Sequence, residues 1–117
     1  MRTFDEYEKC ALSTAVYPEV GSNTVYPAMG LAGESGEALE VVKKYLRIND
    51  DDPRAGDMKH DAQARGKALH EIGDALWYLT LMARELGSSL HEVAEMNAVK
   101  LGARLEHGTL IGEGDDR

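Results

Sequence analysis

Four carboxylates fall into two pairs of equal spacing, Glu34-Ser-Gly-Glu37 and Glu71-Ile-Gly-Asp74. Residues three apart on a helix are surface neighbours, so each pair lies on one helical face. If the two helices pack antiparallel and in register, the pairs face each other and four carboxylates converge. Like charges about 4 Å apart repel by roughly 4 kcal/mol at a partly buried site, so protons or cations must neutralise such a cluster. A donor set of carboxylate oxygens suits Mg²⁺, with Mn²⁺ as a possible substitute. Either pair alone also reads as solvated surface acids, but two pairs on successive helices fit that reading poorly. Further along, Asn97, Lys100 and Arg104 share a face at i, i+3 and i+7. An amide and two cations beside a carboxylate cage match the non-bridging oxygens of an oligophosphate. The chemistry this combination permits is metal-assisted hydrolysis of a phosphate ester.

Other chemistries fit worse. A ferritin-like di-iron bundle needs Glu-x-x-His pairs, and here His70 directly precedes Glu71. His60, His91 and His107 have no zinc spacing with one another or with Cys10, and they read as structural or surface residues. Neither a Walker-type phosphate loop nor a Gly-x-Gly-x-x-Gly fingerprint occurs. The single cysteine, Cys10, excludes an internal disulfide and reads as a small buried residue of the first helix. A net charge of −8 argues against a nucleic-acid backbone as partner. No apolar run approaches the length of a membrane span, and no signal peptide opens the chain, so the expected residence is cytoplasmic, away from membranes.

The elements that must position these residues are all helical. The chain has 117 residues, 43% of them hydrophobic and 29% charged, which suits one domain spanning residues 1–117. Phe4, Tyr7, Ala11, Leu12 and Ala15 recur at helical spacing from Thr3 to about Val16. A turn-rich segment with Tyr17 and Tyr26 then reads as an ordered loop. The second helix is expected from Pro27 to Ile48, with an apolar stripe of Ala28, Ala32, Leu39, Val42 and Leu46. The segment from Asn49 to Gly56 breaks it, and Asp50, Asp51 and Asp52 read there as solvated. The loop around Asn49 to Gly66 is expected to order on ligand binding.

A third helix starts between Met58 and Lys67 and ends at Gly87, with Leu69, Ile72, Leu76, Leu79, Ala83 and Leu86 as its seam. Glu71, Asp74, Tyr78 and Leu81 run one residue out of phase, beside that seam. Ser89-Leu-His-Glu92 reads as a capping box opening a fourth helix whose apolar contacts are Leu90, Val93, Ala94, Leu101 and Leu105. From Gly108 onward the C-terminus reads as irregular. The expectation is an all-α four-helix bundle.

Three segments carry a resemblance: Gly30-Leu-Ala-Gly-Glu34-Ser-Gly-Glu37, Glu71-Ile-Gly-Asp74-Ala-Leu-Trp77-Tyr78-Leu and Asn97-Ala-Val-Lys100-Leu-Gly-Ala-Arg104. In order and helical context they resemble the MazG-like all-α nucleoside triphosphate pyrophosphohydrolases. The closing stretch from Gly108 to Arg117 also resembles that of short members. The resemblance implies a bundle completed as a homodimer or homotetramer. It also implies Mg²⁺-dependent cleavage of an NTP or dNTP between the α and β phosphates, giving monophosphate and pyrophosphate. Glu34, Glu37, Glu71 and Asp74 would hold the metal, with one of the first pair helping to activate water.

On the same analogy Tyr78 and Asn97 approach the sugar or base, Lys100 and Arg104 hold phosphates, and Lys44 reaches a phosphate from the second helix. Tyr17 and Tyr26 are either base-stacking or packing residues, and Trp77 reads as bundle or interface packing. A dUTP- or dCTP-selective enzyme and phosphoribosyl-ATP hydrolysis are alternatives within the superfamily. A nonenzymatic helical dimerisation or nucleotide-binding module is the alternative outside it.

Overall fold

The computed structural model describes residues 1–52 and 56–115. Four helices follow in order: α1 (Phe4–Ser13), α2 (Val25–Ile48), α3 (Ala62–Glu85) and α4 (Leu90–His107), with a 3₁₀ turn (Met58–His60) before α3. No strand occurs among the described residues. None of the helices is long and apolar enough to cross a membrane. Pro53, Arg54 and Ala55 of the expected helix-breaking segment, and Asp116 and Arg117 of the expected irregular tail, lie outside the described residues.

Each helix begins and ends for local reasons. Thr3 opens α1 with a reciprocal capping box: its hydroxyl accepts from the Glu6 N–H at 3.2 Å, and its own N–H donates to the Glu6 carboxylate at 2.7 Å. The helix closes at Ser13, earlier than the apolar spacing suggests. There the Ser13 and Thr14 hydroxyls donate to the Cys10 and Ala11 carbonyls, at 2.7 and 2.9 Å, and help satisfy the last turn. Asp61 caps α3 by accepting from Gln63 and Ala64. That helix ends in a Schellman motif, with Gly87 at φ 76° and the Ser88 N–H bonded to the Ala83 carbonyl at 2.9 Å. Ser89 caps α4 as its sequence implies, accepting from the Glu92 N–H, but the Glu92 carboxylate turns to the Ser88 hydroxyl instead of closing the box.

The scaffold is an antiparallel hairpin of α2 and α3. Its register runs from Tyr45 against His60 at one end to Asn23 against Glu85 at the other, joined by hydrogen bonds of 3.1 and 3.0 Å. α1 packs on α3, and α4 packs on α1 and α3. Among the described residues the buried core is small: Ala11, Tyr17, Pro27, Tyr45, Thr80, Leu81, Ala83 and Leu90, with Arg104 buried apart from them on α4. Cys10, expected to be buried, is exposed, because the inward position on that turn of α1 belongs to Ala11.

The expected apolar stripes turn inward only in part: Ala83 is buried and Ala28, Val42 and Leu76 are half-buried, while other members face out. On α2, Leu39 is 68% exposed, and on α3, Ile72 is 55% exposed. The inward face of α2 instead runs through Pro27, Leu31, Glu34, Ala38, Val41 and Tyr45. On α3 the inward positions include Glu71, Tyr78 and Leu81, the set one residue out of phase with the expected seam. On α4 only Leu90 is buried among the expected contacts; Leu105 is 68% exposed. The radius of gyration, 17.3 Å, exceeds the roughly 13 Å expected for a compact chain of this length.

Candidate functional site

The inward shift of the acidic set is what builds the site. With α2 and α3 antiparallel, Glu34 comes opposite Glu71 and Asp74, and one oxygen from each lies within 4.8 Å of the others. Glu34 and Glu71 are half-buried and Asp74 is exposed. Burial pushes the Glu34 carboxyl above its ordinary range, the charges of Asp74, Glu71 and Glu37 push it further, and a hydrogen bond with Glu71 adds to the shift. Three hard oxygen donors converging at a place where a carboxylate resists ionisation fit a divalent cation.

Glu37 is exposed and stands outside this trio, one turn further along α2. With Glu71 it lines a groove of about 490 Å³ between α2 and α3, which continues past Lys44 and Lys67 to Tyr45 and Asn49. Lys67 is a groove residue outside the sequence-based expectation. Its signal was its place four residues before Glu71, hence on the same face of α3.

On the other side of the trio from this groove stand aromatic rings. Tyr78, one turn beyond Asp74, lies over the bare Cα of Gly30, one turn before Glu34. Burial raises the Tyr78 phenol above its usual range, and Tyr26 and Glu34 add to the shift. The Tyr26 ring is 6.4 Å from that of Tyr78, and Tyr17 stacks on Tyr26 at 4.9 Å and 12°. Trp77 turns away toward α1, donating from Nε1 to the Thr14 hydroxyl at 2.8 Å and meeting Tyr78 edge-on. From α1, Tyr7 also approaches the site: burial raises its phenol, and Cys10 and Asp74 contribute. Nothing in the spacing links Tyr7 to Asp74, because the two lie on elements far apart in sequence.

The cations of α4 are placed elsewhere. Lys100 donates to the Asp115 carboxylate at 3.2 Å. Arg104, 6% exposed, reaches the same carboxylate at 3.3 Å and also donates to the Gly114 carbonyl. Lys100 and then Arg104 hold the Asp115 carboxyl below its usual range. Asn97 is exposed on α4 beside Lys100 and Met96. Among the described residues, the groove that holds Glu37, Lys44 and Glu71 is lined from α2, α3 and the segment joining them, and by none of these three.

Comparison with known proteins gives the family. The chain is 36% identical over 118 residues to the Gene 37 protein of Mycobacterium phage L5, an alignment covering 97% of each chain. No solved structure matches it. The family model described as the MazG nucleotide pyrophosphohydrolase domain matches residues 26–109, a span that contains both acidic pairs, Tyr26, Tyr78 and α4. The chain therefore belongs to the MazG nucleotide pyrophosphohydrolase family.

Proposed function

We propose that this protein hydrolyses a nucleoside triphosphate, NTP or dNTP, between its α and β phosphates, releasing monophosphate and pyrophosphate. The observation that carries this reading is the convergence of Glu34, Glu71 and Asp74 between a groove that holds two lysines on one side and the rings of Tyr78 and Tyr26 on the other. That order matches a nucleotide laid along the hairpin. Its nucleoside meets Tyr78 and Tyr26, its α-phosphate sits at the carboxylates, and its β- and γ-phosphates point toward Lys44 and Lys67.

Glu34, Glu71 and Asp74 would hold the cation, Mg²⁺ by the hardness of the donors, with Mn²⁺ as substitute. When bound, the cation supplies a water of lowered pKa and neutralises charge on the phosphoryl oxygens. Glu37, outside the trio but in the same groove, accepts the proton of the attacking water. The water oxygen bonds to phosphorus, a bridging P–O bond breaks, and the pyrophosphate oxygens are received by Lys44 and Lys67. For Lys100 and Arg104 to bind phosphate as well, a phosphate oxygen takes the place of the Asp115 carboxylate. Asn97 would then meet the sugar or base from the same helix.

The outward apolar stripes and the drawn-out shape support a second copy as their cover. Leu39, Leu69, Ile72, Val93, Met96 and Leu105 are all exposed. Burying such faces against an identical copy gains roughly 25 cal/mol for each Å² of apolar surface removed from water.

Release of pyrophosphate from a panel of NTPs and dNTPs with Mg²⁺ tests the reading, with Glu71→Gln beside the native chain. Metal-dependent release that the variant lacks is the expected result. A folded protein that releases none from any of them, including dUTP, dCTP and phosphoribosyl-ATP, would instead be a binding module.

A further inference from the structure

The carboxylate of Glu85, the last residue of α3, gathers three donors from a segment more than sixty residues away. Tyr17 donates its hydroxyl to Oε1. The backbone N–H of Gly21 donates to the same oxygen at 2.8 Å, and that of Asn23 donates to Oε2 at 3.0 Å. These three bonds, in that order, hold the Glu85 carboxyl below its usual range. Burial, followed by the bond and the charge of Glu85, pushes the Tyr17 phenol up to about 12.

The segment so held is a tight turn with two left-handed residues, Glu19 at φ 55° and Gly21 at φ 97°. A non-glycine residue in that region is uncommon and needs its surroundings to hold it there. Asn23 extends the attachment. Its amide donates to the Pro18 carbonyl at 2.9 Å, and its Oδ1 accepts from the Tyr26 N–H at 3.1 Å, supplying the helix cap that the Thr24 side chain leaves unmade. One carboxylate thus fixes the turn and the first residues of α2 against the end of α3.

The turn carries Tyr17, and the first turn of α2 carries Tyr26. Tyr17 is buried and backs one face of Tyr26, which is 43% exposed. Tyr26 in turn flanks Tyr78 above Gly30, one helical turn from Glu34. A row of contacts therefore runs from Glu85 through Tyr17 and Tyr26 to Tyr78, which stands one helical turn from Asp74.

We infer that Glu85 is a positioning residue, which holds Tyr17 and Tyr26 in register as the wall that receives the nucleoside of the substrate. This rests on the groove being a nucleotide site. Glu85 touches neither the cation nor the phosphates, so its loss weakens recognition of the nucleoside end and leaves the phosphate end intact.

The test uses the full chain with Mg²⁺ and compares two probes: the best nucleoside triphosphate substrate, and inorganic tripolyphosphate as a competitor that lacks a nucleoside. Glu85→Ala is expected to raise KM for the nucleotide about tenfold, the scale of one lost base–aromatic contact, with kcat changed less and tripolyphosphate inhibition unchanged. Tyr26→Leu, which leaves the Glu85 bonds in place, is expected to give the same selective loss. Tyr17→Phe, which keeps the ring and removes the donor, is expected to give a smaller one, and it decides the matter if Glu85→Ala does not fold. Equal weakening of both probes, or a fall in kcat at constant KM, would overturn the inference. So would unchanged KM in an active native background, which leaves the proposed activity standing. A native chain that neither binds nor turns over any nucleotide overturns both.

Discussion

Tyr78 and Gly30 make a contact that no other residue at position 30 permits without movement: a Cβ there would lie 2.2 Å from the Cε1 of the Tyr78 ring. The glycine is therefore explained by the ring above it. Gly30→Ala gains about 1 kcal/mol of helix propensity but forces Tyr78 off its seat beside Glu34. The expected outcome is a Tm close to that of the native chain with KM for the nucleotide raised severalfold. Steady-state kinetics beside thermal melting checks it; an unchanged KM would show that the position of Tyr78 is irrelevant to binding.

Glu34→Gln and Glu71→Gln each remove a charge from the trio. Each is expected to lower kcat by about a hundredfold or more, the scale of several kcal/mol of charge stabilisation. Each should also abolish the rise in Tm that Mg²⁺ gives the native chain through preferential binding to the folded state. Melting curves with and without Mg²⁺ test the second point independently of activity. A variant that kept the full metal-induced rise would remove its residue from the ligand set.

The raised pKa of Glu34 fixes the sign of a pH effect. A carboxyl that holds its proton more tightly when folded contributes stability that is full below its ordinary value and is lost as pH rises through the folded value. In the presence of a chelator, the Tm of the native chain should therefore fall by more than that of Glu34→Gln as pH rises from acidic to neutral. Added Mg²⁺ should reverse the fall. A native chain whose chelated Tm tracks that of the variant across this range would contradict the shift.

The Glu85 attachment has the opposite dependence at its acid limit. The lowered carboxyl contributes stability present above the ordinary carboxylate value and lost as pH falls through the folded value. The Tyr17 phenol, at about 12, contributes stability present below its usual 10.0 and lost as pH rises through the folded value. The Tm difference between the native chain and Glu85→Ala should therefore be level near neutrality and shrink toward both extremes. Tyrosinate absorbance followed to high pH should show Tyr17 among the late-ionising phenols, and Glu85→Ala should bring one phenol to earlier ionisation while leaving those of Tyr7 and Tyr78 raised.

Lys44→Ala and Lys67→Ala test the direction in which the nucleotide lies. Each is expected to weaken inorganic tripolyphosphate by about tenfold, in keeping with the loss of a charge-assisted contact, and added salt should narrow the difference. Competition assays read this directly. Unchanged tripolyphosphate binding in both variants would mean that the phosphates point elsewhere.

Charge placed on the outward face of α4 probes association. Met96→Asp is expected to dissociate an oligomer that the native chain forms, as read by sedimentation, while the isolated chain keeps its helical content. A monomeric native chain would leave the exposed stripes without the proposed cover.

The sequence by itself determined the four helices, because caps, glycines and apolar spacing act over one or two turns: Thr3, Ser89 and Gly87 mark ends that the structure reproduces. It also exposed the two acidic pairs and the family, since these depend on residue type and order. The tertiary structure decided which face of each helix turns inward. On α2 and α3 two stripes compete, and hydrophobic spacing favours one whose members Leu39, Leu69 and Ile72 lie outside in the single chain, although Ala83 of the same stripe is buried. Packing of the hairpin selected the neighbouring stripe, which brings Glu34, Glu71 and Asp74 together and leaves Glu37 beside the lysines. Periodicity reports that a helix has an apolar side but not what covers it. The attachment of residues 17–23 to Glu85 was likewise out of reach, because a hydrogen bond between distant segments leaves no mark on the local spacing of either.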